Sequence, residues 1–298
     1  MCRPRQVLPG ATVVVTRRCA QRLFLLVPSE MVNAIVAYVL AVAANRYGIQ
    51  VHAFCVLSNH LHIVLTDVHG RLPAFAQYFH SLVGRAINAA RGRQEDFWAP
   101  NTYSAVTLLS PADVVAKTAY VLANPVAAGL VPSGRDWPGL WSAPESIGGE
   151  AVEVPRPGFF FKPMGSMRKS AQLQLHCPPG FASTADFLEQ LRPALAALEA
   201  EAAATLATEG RTFLGARRVL AQDPMSHPAT REPLGQLNPR VACRDPEVRK
   251  GALARLQEFA AAYRDALAAW RRGIRDVIFP EGTYQMRVQH AVRCAAPA

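Results

Sequence analysis

The chain has 298 residues, half of them hydrophobic, which excludes a disordered chain and allows a sizeable core in about two domains. Lys and Arg number 32 against 22 Asp and Glu, and Arg far outnumbers Lys. The net charge of +10 fits an anionic partner, with nucleic acid the first expectation.

The six cysteines, Cys2, Cys19, Cys55, Cys177, Cys243 and Cys294, are widely scattered and form no C-x-x-C pair. This spacing suits neither a zinc ribbon nor a disulfide framework, and reduced thiols in a cytoplasmic protein are expected. Arg3 and Arg5 precede no apolar segment of the signal-peptide kind, so no leader is expected. The most apolar run, residues 31–44, is shorter than a membrane span and carries Asn33, so a buried helix is expected and a membrane partner is not.

Residues 11–16 (ATVVVT) are rich in β-branched side chains and predict the first strand. Arg17, Arg18 and Arg22 follow as a basic connection that reads as a solvated loop or as phosphate contacts beside the sheet. Ser29 is an N-cap, Glu30 complements the dipole of the first turn, and Gly48 is a C-cap for the buried helix between them.

Residues 49–57 (IQVHAFCVL) predict a second strand, Ser58-Asn59 a tight turn, and residues 60–66 its hairpin partner. Strands alternate faces, so His60 and His62 point to the same side and Leu61 to the other. Two neighbouring imidazoles on a strand can chelate one divalent ion. Taken alone, such a pair reads first as two core or surface histidines. His52, on the preceding strand, is a candidate neighbour of the pair.

Residues 71–93 form an amphipathic pattern with Phe75, Tyr78, Phe79, Leu82, Val83, Ala86 and Ile87 on the apolar stripe and Arg85, Arg91 and Arg93 on the polar side. Tyr78 therefore reads as core. Phe97-Trp98-Ala99-Pro100 interrupts the pattern, and residues 102–109 predict another strand. Ser110, Pro111 and Asp113 open a helix that runs to about Asn124, with Pro125 as its stop. Tyr120 and Asn124 are four residues apart and share a face of that helix.

The segment Tyr120-Val121-Leu122-Ala123-Asn124-Pro125-Val126-Ala127-Ala128-Gly129-Leu130-Val131 follows the Asn59-His60-Leu61-His62 strand, and Asp136-Trp137-Pro138-Gly139-Leu140-Trp141-Ser142 follows both. Together these motifs resemble the REP-associated tyrosine transposases, within the HUH (His-hydrophobic-His) superfamily of single-strand endonucleases. Members typically carry an Asn-His-x-His strand, then a Tyr-Ile-x-x-Asn-Pro-Val-x-x-Gly segment and a Trp-Ser element. The resemblance covers about the first 145 residues. Ser58 stands where Pro is common, Val121 where Ile is, and Ala128 where a basic residue is frequent.

The chemistry suits these residues. A phenol, with a reference pKa near 10, forms its anion more readily than an aliphatic alcohol, and a phosphotyrosine conserves the bond energy for rejoining. A divalent ion on His60 and His62 is a Lewis acid for the scissile phosphate, and Asn124, one turn from Tyr120, can add an amide oxygen. Mixed N/O ligands suit Mg²⁺ or Mn²⁺. The resemblance implies the same assignment: Tyr120 as nucleophile, with His60, His62 and Asn124 as metal ligands.

It also implies an α+β, ferredoxin-like core, an antiparallel sheet with helices on one face. The implied substrate is single-stranded or hairpin DNA, cut through a covalent 5′-phosphotyrosine. A monomer or homodimer in the cytoplasm, at the nucleoid, is expected. Arg17, Arg18, Arg22, Arg85, Asn59 and Trp98 are the candidate DNA contacts, with Phe97 beside Trp98 as a further stacking candidate.

A Pro/Gly-rich stretch, residues 143–165, predicts a boundary between a nuclease domain over residues 1–148 and a mainly helical extension over residues 149–298. In the extension, residues 184–206 predict a helix kinked or broken at Pro193, residues 211–222 a short basic helix, and residues 223–238 irregular chain. Residues 245–277 predict a long helix, apolar at Leu253, Leu256, Phe259, Tyr263, Leu267 and Trp270, followed by a turn at residues 279–284. Its expected role is hairpin recognition or dimer contact. Two other readings remain open: a non-catalytic DNA-binding protein that keeps the fold, and a replication or mobilisation initiator, although no P-loop is present. A zinc hydrolase fits less well, because no Glu or Cys lies at the spacing such sites use.

Overall fold

The computed structural model describes residues 4–100, 103–230 and 239–296. Cys2, Arg3, the start of the strand expected at residue 102, and residues 231–238 of the expected irregular stretch lie outside them.

The valine run forms strand β1 (Ala11–Arg18), and helix α1 (Glu30–Tyr47) follows it. Ser29 Oγ accepts from Val32 N at 3.2 Å, and Gly48 closes the other end at φ +66°, a left-handed conformation that costs glycine little. Strands β2 (Ile49–Leu57) and β3 (His60–Asp67) make the hairpin. Helix α2 (Leu72–Ala90) comes next, shorter at both ends than the sequence pattern. Its N-terminus is capped from a distance: the Asp67 carboxylate accepts from Arg71 N at 2.8 Å and Leu72 N at 2.7 Å. Strand β4 (Ser104–Leu108) and helix α3 (Pro111–Ala127) complete the first half, with Ser110 as the N-cap.

β1 pairs antiparallel with β3 from Ala11↔Asp67 to Arg18↔His60, and with β4 on its other side. β2 pairs antiparallel with β3. This is the β-α-β-β-α-β arrangement of a ferredoxin-like core. Alternation along β3 sends Leu61, Ile63, Leu65 and Asp67 to one side and His60, His62, Val64 and Thr66 to the other. Asp67 reaches α2, and α1 packs along α2, so these helices cover the first face. α3 lies against β2, β3 and β4 on the face of the histidines. Both faces of β3 are therefore covered, and all its residues but His60 are buried. Each fully buried Leu or Ile there contributes roughly 1.5–3 kcal/mol.

α3 does not stop at Pro125 but runs on to Ala127. Pro125 has no N–H for the Val121 carbonyl. The Asn124 side chain donates Nδ2 to that carbonyl at 3.3 Å and to Tyr120 O at 2.8 Å, which offsets the missing bond.

The second half is laid onto the first. Strands β5 (Val152–Pro155) and β6 (Ser170–Leu173) form a hairpin against α1, so the Pro/Gly-rich stretch is partly ordered strand. Helix α4 (Thr184–Thr208) packs along α3 and runs unbroken through Pro193. The short basic helix is α5 (Ala216–Leu220). β7 (Val241–Ala242) extends the main sheet as a fifth strand, parallel to β4. One buried apolar cluster runs from Val13 to Val219, including Phe187 and Leu191 of α4. A second, smaller cluster joins helix α6 (Pro246–Arg271) to helix α7 (Gln285–His290) through Ala266, Phe279 and Met286. Among the described residues, no helix is long and apolar enough to cross a membrane.

Candidate active site

His60 and His62 lie side by side at the turn end of β3, with ring centroids 4.9 Å apart and rings nearly perpendicular. The β1–β3 register places Thr16 opposite His62 and Arg18 opposite His60, all on one face. Thr16 Oγ1 lies 2.9 Å from His62 Nδ1, and Asn59 Oδ1 lies 2.7 Å from His60 Nδ1. A carboxamide oxygen only accepts, so His60 Nδ1 is the donor in that contact.

His62 is 6% exposed, and its Nε2 is buried with no hydrogen-bond partner. Burial, and to a lesser degree the charges of His60 and Lys117, lowers its pKa to about 3, so the imidazole is neutral at ordinary pH. A buried nitrogen without a partner is rare and costs about 1–3 kcal/mol. In the tautomer that donates Nδ1–H to Thr16, the orphaned Nε2 is a lone pair, which is what a metal ligand offers.

Tyr120 projects from α3 toward this pair. Its ring centroid is 6.0 Å from that of His62, edge to face, and the residue is 47% exposed on a helix whose other faces are buried. Lys117, one turn earlier, holds Nζ 5.0 Å from the Tyr120 ring centroid. Asn124, one turn later, is buried. Its Nδ2 is committed to the helix backbone, so Oδ1 is the only atom of the amide left for an external cation.

These residues fit a divalent ion. The orphaned Nε2 of His62 and the Nδ1 partners of both histidines match the way ligating imidazoles are oriented by the groups behind them. Among the described residues, no cluster of three or more His, Cys, Asp or Glu could hold a metal, so an ion here would also draw on amide, water or substrate oxygens.

The chain is similar to known transposases. A REP-associated tyrosine transposase bound to a REP hairpin matches with 19% identity over 46% of this chain and 80% of that one, at a TM-score of 0.40. A candidate transposase from Deinococcus radiodurans R1 matches with 15% identity over 38% of this chain and 89% of that one, at a TM-score of 0.29. No protein-family model and no curated protein matches the chain.

The candidate DNA contacts divide between the two faces. Arg18 is exposed beside His60, and Asn59 lies at the turn that holds it, with Nδ2 donating to Arg22 O at 3.3 Å. The Arg22 guanidinium is bonded to both oxygens of Thr230. Arg17 alternates to the opposite face, where its guanidinium lies 5.9 Å from the Trp98 ring centroid. Trp98 donates Nε1 to His80 O at 2.7 Å and packs on Phe97, so it is anchored there, away from Tyr120. Arg85 is exposed on α2.

His52 is not part of the site. It is the extra residue of a β-bulge between Val51 and Ala53, fully buried, with Nδ1 donating to His176 O at 2.9 Å and Nε2 bonded to Thr66 Oγ1 at 2.7 Å. Thr16 and Lys117 escape a reading of the sequence. The helical spacing Lys117-x-x-Tyr120 is a usable signal for the lysine, whereas Thr16 becomes visible only once the β1–β3 register is known.

Proposed function

We propose that the protein is a transposase-like enzyme that cuts and rejoins single-stranded DNA at a hairpin, with Tyr120 as nucleophile. The observation that carries this reading is the juxtaposition of the half-exposed Tyr120 ring with His62, 6.0 Å between centroids, whose buried Nε2 has no partner. The order of the Asn-His-Leu-His and Tyr-Val-Leu-Ala-Asn-Pro motifs supports it.

The Tyr120 oxygen attacks phosphorus and loses its proton to solvent. The P–O3′ bond breaks, and the leaving 3′ oxygen takes up a proton. The 5′ phosphate stays on Tyr120 as a phosphodiester, and attack by a 3′ hydroxyl reverses the step with no net change in bond type. Lys117 and Arg18 place positive charge where the phosphate must sit. Thr16 and Asn59 fix the imidazoles, and α3 fixes the phenol, so the reacting groups are held before substrate arrives. Mg²⁺ or Mn²⁺ held by His60, His62 and Asn124 would supply Lewis-acid polarisation of the phosphate.

The test is incubation of the protein with labelled hairpin-bearing single strands and Mg²⁺ or Mn²⁺, followed by denaturing electrophoresis. A covalent adduct is expected that is absent in Tyr120→Phe and absent with chelator. Binding without an adduct would make the protein a DNA-binding relative, and an adduct that survives Tyr120→Phe would place the nucleophile elsewhere.

A further inference from the structure

The stretch between β5 and β6, residues 156–169, has no part in the site described above. It contains Arg156, Lys162, Arg168 and Lys169 and no Asp or Glu. Its base is fixed. Phe161 is buried and meets Tyr38 of α1 edge-on at 5.2 Å, and the Tyr38 hydroxyl donates to Arg168 O at 2.6 Å. The Arg156 guanidinium donates to Met167 O at 2.6 Å and to Pro163 O, tying the stretch across itself.

From this base two aromatic rings face outward. Phe159 and Phe160 are 46% and 44% exposed, and Met164 is 98% exposed. Phe160 is held at φ +66°, where a bulky residue is an outlier, and its ring meets Phe161 edge-on at 5.2 Å. Outward aromatics on a fixed base, among cations, with the neighbouring Glu153 carboxylate engaged by Ser170 Oγ, match the two requirements of an unpaired strand: faces for bases and charges for phosphates.

We propose that residues 156–169 are a second nucleic-acid contact, in which Phe159 and Phe160 stack unpaired bases while Lys162, Arg168 and Lys169 neutralise the adjoining phosphates. DNA as the strand rests on the function proposed above. The hairpin packs on α1, on the sheet face opposite α3, so the platform takes strand flanking the cut rather than the cut itself. A lipid surface would call for apolar bulk, and this patch is two rings and one methionine; rigid rings suit bases.

The test uses the full chain with Tyr120→Phe, so that binding is read without cleavage, and a fluorescent single-stranded oligonucleotide followed by anisotropy beside a duplex of the same length. Phe159→Ala with Phe160→Gly removes both rings, and glycine accepts the positive φ. The single-strand Kd is expected to rise about tenfold or more, with a change of less than about twofold for the duplex. Lys162→Gln with Lys169→Gln is expected to lower the slope of log Kd on log salt by about 1.4, from roughly 0.7 per phosphate on a single strand. An unchanged single-strand Kd in both variants overturns the proposal. So does an equal loss on duplex, or a loss seen only on anionic phosphatidylglycerol vesicles. If wild type forms no adduct while the aromatic variant loses single-strand binding, the platform stands and the Tyr120 reading fails. An adduct with unchanged Kd is the reverse.

Discussion

Asn124 donates its side-chain amide to Val121 O, the carbonyl that Pro125 leaves without a helical partner. Its other amide atom, Oδ1, makes neither of these helix contacts. One side chain thus extends α3 past a proline and is the candidate third ligand.

The two roles separate by substitution. Asn124→Ala removes both, and leaving a buried carbonyl unmatched is expected to cost about 1–3 kcal/mol of stability as well as activity. Asn124→Asp keeps an oxygen but loses the donor. It is expected to lose comparable stability while retaining more Mn²⁺ affinity than the alanine variant. Thermal unfolding and calorimetric Mn²⁺ titration of both proteins decide it; equal loss of Mn²⁺ affinity would remove Asn124 from the ligand set.

Thr16 faces His62 across the β1–β3 ladder at 2.9 Å. Thr16→Val is close in shape and removes only the hydroxyl, so the fold is expected to persist. The His62 ring loses the group that orients it, and metal affinity is expected to fall about 10- to 100-fold. Thr16→Ser is expected to restore most of it. Titration with Mn²⁺ checks this, and an unchanged affinity in Thr16→Val would mean that His62 binds no ion through Nε2.

Much of this frame is legible from residues alone, for local reasons. The valine run of β1, the Ser29 and Ser110 caps and the Gly48 stop act within a few residues, and alternation alone puts His60 and His62 on one side. What is not legible depends on distant partners. Thr16 needs the strand register, and the α2 cap needs Asp67 to fold back. The helix past Pro125 needs the Asn124 rotamer. β7 has only two residues, too short for any periodicity to show. The bulge at His52 is likewise a pairing irregularity, invisible in the alternation of β2; it sets the ring against Thr66, at the far end of β3 from the histidine pair.

His52 and His80 carry an acid limit on stability. Burial is the first cause in both, and it lowers His52 to about 4 and His80 to about 3. The folded protein keeps both neutral, while the unfolded chain protonates them near pH 6.5. The stability they contribute is therefore complete above about pH 6.5 and is lost as pH falls from there toward the folded values. Each costs about 1.4 kcal/mol per pH unit. Denaturant unfolding of metal-free protein between pH 7 and 5 is expected to show this slope, to which the buried His62 adds a third proton in the same direction. His80→Phe keeps a ring among Phe79, Trp98 and Tyr103 and removes one titrating group. It is expected to flatten the slope by one proton, and a slope unchanged in that variant would show that His80 does not titrate on unfolding.

Lys117 stands one turn before Tyr120, with Nζ 5.0 Å from the ring centroid, and its charge also reaches His62. A fixed cation there acts on whatever negative charge develops between the phenol oxygen and the phosphate, and such charge is greatest in the transition state. Lys117→Met keeps the length of the side chain and removes the charge. The single-turnover rate of adduct formation at saturating DNA is expected to fall about tenfold or more, with a smaller change in the Kd measured in the Tyr120→Phe background. The opposite pattern, weaker binding with an unchanged rate at saturation, would mean that Lys117 only holds the DNA backbone, since uniform binding moves affinity and leaves the chemical step alone.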